Sequence, residues 1–287
     1  MNMFGRRSKD EPPTRPGGVE SATPPPHAPG VPLKRDDLQI LLEDLQAGAS
    51  YQRSLMPEIA PAVPGYDFGC LLRPARTVSG DFYDSVRLDE RRVGILVADA
   101  SGKGVPACLM AMLCHAFFRV RPDPTAGPAR TLQAVNAMLY GNAKRGTFVS
   151  CIYAVLDTTA HTLTMSNAGH LPAVIWHGRE RIATTHRSNG PVVGVLSPTL
   201  YNPQIAEETI PLRPSDRFVF FTDGMNEAMA PGQKEFGMEH LRRRLMAHGD
   251  GSSSEFVRDL GAQIDLHAGG GEQSDDITIL SGRRLPG

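Results

Sequence analysis

Four apolar stretches of this chain begin or end at an aspartate, and that placement restricts the fold more than any bulk property does. Asp81 lies in Ser79-Gly80-Asp81-Phe82-Tyr83-Asp84, Asp99 closes the run Val93–Ala98, Asp223 follows Phe218–Phe221, and Asp275 precedes Ile277–Leu280. Strand ends are where a rigid sheet delivers side chains to a shared place. Carboxylates gathered there repel one another unless protons or cations neutralise them. Hard divalent cations prefer all-oxygen ligands, so the pattern points to a site of the Mg²⁺ or Mn²⁺ kind. Taken one at a time, each aspartate also reads as a turn former or a helix cap.

The spacing of the first two is more specific. Asp89-Glu90-Arg91-Arg92 is a polar turn between two apolar stretches. A hairpin centred on Glu90 sets Asp81 opposite Asp99, with their Cβ atoms about 5 Å apart. Like charges directly opposite are destabilising, and a bridging cation is the simplest reason to tolerate them.

The 287 residues carry a net charge of −1 and are 40% hydrophobic and 21% charged, as in an ordinary globular protein. That balance argues against a broad nucleic-acid face. No apolar run approaches the ~18 residues of a membrane span, and Met1–Arg7 lacks the apolar centre of a signal peptide. The expectation is a cytoplasmic protein without membrane contact. Cys70, Cys108, Cys114 and Cys151 show no metal-ligand spacing and sit in apolar strings, which reads as small buried hydrophobes.

Three segments follow from composition. Residues 1–33 are a Pro/Gly-rich tail expected to be disordered. Residues 34–57 carry Leu38, Leu41, Leu42, Leu45, Ala49, Leu55 and Met56 at helical spacing and end at Pro57. This linker or regulatory helix either packs on its own domain or forms a homodimer. Residues 58–287 form the main domain. Its strands are expected at 66–72, 80–88, 93–99, 147–156, 162–168, 172–177, 180–185, 217–222 and 276–281, with helices near 105–120, 128–142, 238–247 and 253–266. Hairpins with clustered helices indicate an α+β fold built on antiparallel sheets.

Gly102-Lys103-Gly104 does not make a phosphate loop, because Val97 and Gly104 stand where that motif needs Gly and Ser or Thr. The glycines instead let the chain turn from strand into helix beside Asp99. His170 reads as a turn histidine, with a role near the site as the alternative. Arg76, five residues before Asp81, is either a solvated arginine or an anion grip. No sequence pattern supports Ser or Cys nucleophilic catalysis.

At these residues the chain resembles the PPM family of metal-dependent protein serine/threonine phosphatases, in its SpoIIE/RsbU branch. The matching segments are Val78–Asp84, Ala98–Gly104, Ser166–His170, Phe221–Ala228, Phe236-Gly237 and Ser274–Thr278, in the family's order. The resemblance implies an antiparallel β-sandwich flanked by helices, in α-β-β-α layers, with two Mn²⁺ or Mg²⁺ ions at one end. Carried over by motif, Asp99 bridges both ions and the Ala100 carbonyl binds the second. Asp223 and Asp275 complete the first, and Asp81 sits at the second. Asp84, Asp276, Gly80, Gly102 and Gly224 take support roles, and Arg76 is the candidate phosphate-binding residue.

The implied activity is hydrolysis of phosphoserine or phosphothreonine by a metal-bridged hydroxide. The implied substrate is a phosphorylated anti-sigma-factor antagonist of the STAS type. Two other readings stay open: a catalytically silent regulatory module of the same fold, and a phosphatase of small phosphate esters. Side chains alternate along a strand, so Asp275 and Asp276 are not expected to enter one site together.

Overall fold

A computed structural model describes residues 35–57, 63–120, 125–144, 146–187 and 190–286. The tail expected at 1–33 lies outside the described residues. Two compact units divide between Asp44 and Leu45. The described part of the first is helical, as the start of α1 (Arg35–Leu55). All other described elements belong to the second unit.

Among the described residues the second unit has ten strands in two antiparallel sheets. One sheet has the order β1 (Tyr66–Arg73), β10 (Ile277–Arg284), β9 (Arg217–Phe221), β6 (Ala173–His177) and β7 (Ile182–His186). The other has the order β2 (Asp81–Arg87), β3 (Arg92–Ala100), β4 (Val149–Asp157), β5 (Thr162–Ala168) and β8 (Glu208–Pro211). Helices α2 (Val105–Val120) and α3 (Pro128–Asn142) pack on the second sheet, while α6 (Gly237–His248) and α7 (Ser253–Ala268) cover the first. Two single-turn helices, α4 (Pro198–Tyr201) and α5 (Asp223–Asn226), and a 3₁₀ turn at Asn202–Gln204 are the remaining helical elements among the described residues. The expected α+β sandwich with helices on both outer faces is what the chain forms.

Alternation explains the layers. In β9, Phe218 and Phe220 point between the sheets, while Val219 and Phe221 pack under α6 and α7. In β6, Ala173 and Ile175 face inward and Val174 and Trp176 outward. Strands buried on both faces carry unbroken apolar runs rather than a hydrophobic–polar alternation. Val93–Ala98 in β3 is such a run, and every residue in it but the small Gly94 belongs to the central core cluster.

The differences from the sequence reading lie at edges. β10 starts one residue later than expected and runs on to Arg284, because Gly282 and Arg283 still pair with Phe218 and Arg217 of β9. β8 had no sequence signal: it is a four-residue edge strand in which only Ile210 is buried. The helix start expected at Lys34 lies outside the described residues. The C-terminal half of α1 is tied to the β1–β2 loop: Gln52, 4% exposed, accepts from Ser79 N at 3.0 Å and donates to Ser79 O at 2.7 Å. Tyr83 adds a bond from its hydroxyl to the Pro57 carbonyl, 2.9 Å.

α7 approaches β1 closely. It opens with a capping box between Ser252 and Glu255, and a Cβ on Gly69 would lie 2.4 Å from the Ser253 carbonyl oxygen. Gly69→Ala should therefore push α7 off the sheet. We expect a loss of about 1–3 kcal/mol in a urea melt, with an unchanged far-UV spectrum; an unaltered midpoint would show that the helix N-terminus yields freely.

Candidate functional site

The β2–β3 hairpin fixes the first pair of carboxylates. Its register sets Asp81 opposite Asp99, as the turn at Glu90 required. Asp81, Tyr83 and Ser85 alternate with Phe82 and Asp84, and the two sets face opposite sides of the sheet. Asp81 therefore points between the sheets, 2% exposed. There it meets the inward positions of the other sheet. Thr222 Oγ1 donates to Asp81 Oδ2 at 2.6 Å, and Thr278 Oγ1 donates to the same oxygen at 2.8 Å. Burial, then the charge of Asp99, pushes the Asp81 carboxyl well above the usual range, and the two hydroxyls oppose that rise.

Asp223 and Asp275 reach the same end from the first sheet. Asp223 is the first residue of α5, two positions past the end of β9, and Asp275 lies two positions before β10. Burial pushes the Asp99 carboxyl up to about 7, followed by the charges of Asp223, Asp275 and Asp276. Asp223 is raised too, by burial and then by Asp275. Asp81, Asp99, Asp223 and Asp275 thus share one end of the sandwich. Among the described residues no three acidic, imidazole or thiol groups converge tightly enough to make a ready-formed ligand cluster. Lys103 stands in the group instead, with Nζ 2.7 Å from Asp275 Oδ2 and 2.7 Å from the Ser274 carbonyl.

The remaining candidates fall around these four. Ala100, fully buried, donates its N–H to the Gly80 carbonyl at 3.1 Å. A Cβ on Gly80 would lie 3.1 Å from the Ala100 oxygen, and one on Gly224 would lie 2.0 Å from the Asp276 oxygen. Both glycines allow loops to approach. Gly102 has φ +95°, which favours glycine in the turn after β3. Asp276 faces away from Asp275, accepting from Ala75 N and Gly80 N at 2.7 Å each. It anchors the β1–β2 loop, and its charge still adds to that felt by Asp81 and Asp99. Asp84 points to the other side of β2, where His115 Nε2 lies 3.0 Å away and Arg119 Nε 2.5 Å away. It ties β2 to α2. Arg76 is exposed, and its guanidinium lies beside Gly104, 3.5 Å from where a Cβ would stand.

Thr222, Thr278, Gln52 and Lys103 were not singled out from sequence. The two threonines share the inward parity of Phe220 and Leu280, so strand alternation carried that signal. Gln52 and Lys103 acquire their partners only through tertiary packing.

His170 is buried between the sheets. Its Nε2 faces the Phe221 carbonyl at 3.1 Å and its Nδ1 faces Ser150 Oγ at 2.7 Å. A carbonyl only accepts, so Nε2 carries the proton and Nδ1 accepts from the serine. The turn histidine is therefore a strut from β4 to the end of β9.

Protein phosphatase domains superpose on this antiparallel sandwich with helices outside. The SiaA-PP2C domain of Pseudomonas aeruginosa matches with a TM-score of 0.76 at 22% identity, over 86% of this chain and 98% of that one. The catalytic domain of the serine/threonine protein phosphatase PstP, in complex with two manganese ions, matches with a TM-score of 0.57 at 12% identity, over 77% of this chain and 98% of that one. The family model "Stage II sporulation protein E (SpoIIE)" matches residues 89–285, and the chain belongs to that family. Phosphoserine phosphatase RsbU of Bacillus subtilis is 26% identical over 250 residues, 86% of this chain and 71% of its own length. Protein IcfG of Synechocystis is 25% identical over 265 residues, 83% of this chain; the match spans only 41% of IcfG.

The strut has a pH consequence. Burial lowers the His170 pKa from 6.5 to about 4. Above pH 6.5 neither the folded nor the unfolded chain is protonated there; between 6.5 and about 4 only the unfolded chain is. Stability present above pH 6.5 is therefore lost as pH falls, by about 3 kcal/mol at the lower limit. His170→Gln should flatten that slope in denaturant titrations at a series of pH values; an equal slope in the variant would assign the loss to other groups.

Proposed function

We propose that the chain is a metal-dependent protein serine/threonine phosphatase. The observation that carries this reading is the facing of Asp81 and Asp99 across the β2–β3 hairpin, with Asp223 and Asp275 near enough to raise the Asp99 carboxyl. A divalent cation relieves that concentration of negative charge, and the donor set is all oxygen. The manganese complex of PstP and the naming of RsbU as a phosphoserine phosphatase support the same chemistry.

Asp81, Asp99, Asp223 and Asp275, with the Ala100 carbonyl, would hold two Mn²⁺ or Mg²⁺ ions. Such a pair of ions supplies an activated water and neutralises the phosphoryl oxygens. The chain's own residues set the geometry. Thr222 and Thr278 fix the Asp81 carboxylate and favour its ionised form. Asp276 holds Gly80, and with it the start of β2, in place. Arg76, at the rim, is a candidate contact for the phosphate.

The substrate proposed is a phosphorylated anti-sigma-factor antagonist of the STAS type, on the strength of membership in the SpoIIE family. The intact aspartates count against a silent regulatory module. No helix among the described residues is long and apolar enough to cross a membrane, and a cytoplasmic location fits a substrate of this class. Homodimerisation through α1 is part of the same proposal: Leu38, Ile40, Leu41 and Leu42 are exposed on it. Light scattering should give a dimer mass for the full chain and a monomer mass for a Leu38→Glu, Leu41→Glu variant; a monomeric wild type would remove the dimer.

A chelator should abolish phosphate release from a phosphoprotein panel, and Mn²⁺ should restore it. Asp99→Asn should lower turnover at least about 100-fold, with Asp84→Asn milder. Full activity in excess chelator would refute the metal mechanism. Release from aryl phosphate with none from any phosphoprotein would favour a small-ester phosphatase.

A further inference from the structure

Lys103 occupies a place that an ordinary surface lysine does not. It lies between Gly102 and Gly104, whose φ angles of +95° and +71° set the sharp turn from β3 into α2. That turn carries the ammonium back towards Asp99, four residues earlier, and across to the loop before β10. There Nζ contacts Asp275 Oδ2 and the Ser274 carbonyl, each at 2.7 Å. The same ammonium is the attractive charge opposing the crowding of Asp99, Asp223 and Glu227. One cation thus balances a group of carboxylates on three separate segments. An exposed ion pair of the usual kind serves one partner and contributes little.

We propose that Lys103 is an exchangeable counter-cation of the carboxylate site. It pairs with Asp275 and yields that carboxylate when a divalent cation binds. The freed ammonium then contacts the phosphoryl group of the substrate. This rests on the phosphatase reading given above. A divalent cation offers Asp99, Asp223 and Asp275 twice the charge of an ammonium, and hard oxygen ligands suit it. The lysine stem is flexible and its head is a compact point charge, which suits a phosphoryl oxygen. Lys103 is 44% exposed in its side chain, so release from Asp275 leaves it at the mouth of the site rather than buried. Arg76, beside Gly104, puts a second cation on the same rim.

The test uses the full chain with Lys103→Gln and Lys103→Arg. Calorimetric titration of the substrate-free protein measures Mn²⁺ affinity. Inorganic phosphate, titrated at saturating Mn²⁺, measures the phosphoryl contact. Lys103→Gln should tighten Mn²⁺ and weaken phosphate, each by about tenfold, as expected for coupling between neighbouring sites. Lys103→Arg should keep phosphate affinity close to wild type. If either constant for Lys103→Gln equals the wild-type value, the exchange is overturned. A wild type that binds Mn²⁺ while the variant is unchanged removes the Lys103 proposal alone. A wild type that binds no Mn²⁺ removes the phosphatase reading and this proposal together.

Discussion

One buried carboxylate joins the two halves of the sandwich at its functional end. Asp81 belongs to the second sheet, yet its hydrogen bonds come from Thr222 and Thr278 of the first. A carboxylate 2% exposed is costly unless polar groups meet it. The two hydroxyls meet one oxygen, and Asp99 lies directly across the hairpin. The arrangement couples packing to chemistry: the sheets cannot slide at this end without stripping Asp81 of its donors.

The loops around that contact are held with the same economy of parts. Asp276 accepts from Ala75 N and Gly80 N, which fixes the β1–β2 loop against the start of β10. Gln52 pairs with both backbone groups of Ser79, so the end of α1 is joined to the residue two before Asp81. On the opposite face of β2, Asp84 meets His115 and Arg119 of α2. Adjacent acidic residues thus divide into two kinds. Asp99 is crowded by Asp223 and Asp275 and faces Asp81 across the hairpin; Asp84 spends its oxygens on structural donors, and Asp276 does so while its charge still reaches Asp81 and Asp99.

The edges were least legible in the sequence. β8 has one buried residue, so it carries almost no periodic pattern. α4 and α5 are single turns, too short to show a helical stripe. Arg76 could be placed near the site by its distance from Asp81 along the chain, but not on the rim beside Gly104 rather than in open solvent.

What the sequence determined by itself was the strand alternation, the position of the β2–β3 turn, and therefore the facing of Asp81 and Asp99. These follow from a side-chain period of two and a turn centred on Glu90, both local properties. The ordered motifs also pointed to the family and the carboxylate set. Tertiary structure alone decided that Thr222 and Thr278 reach Asp81, that Asp276 turns to the Gly80 backbone while Asp275 meets Lys103, and that Gln52 grips Ser79. Each of these joins segments far apart in the chain. Their geometry depends on how two sheets and a helix pack, and no local periodicity encodes that.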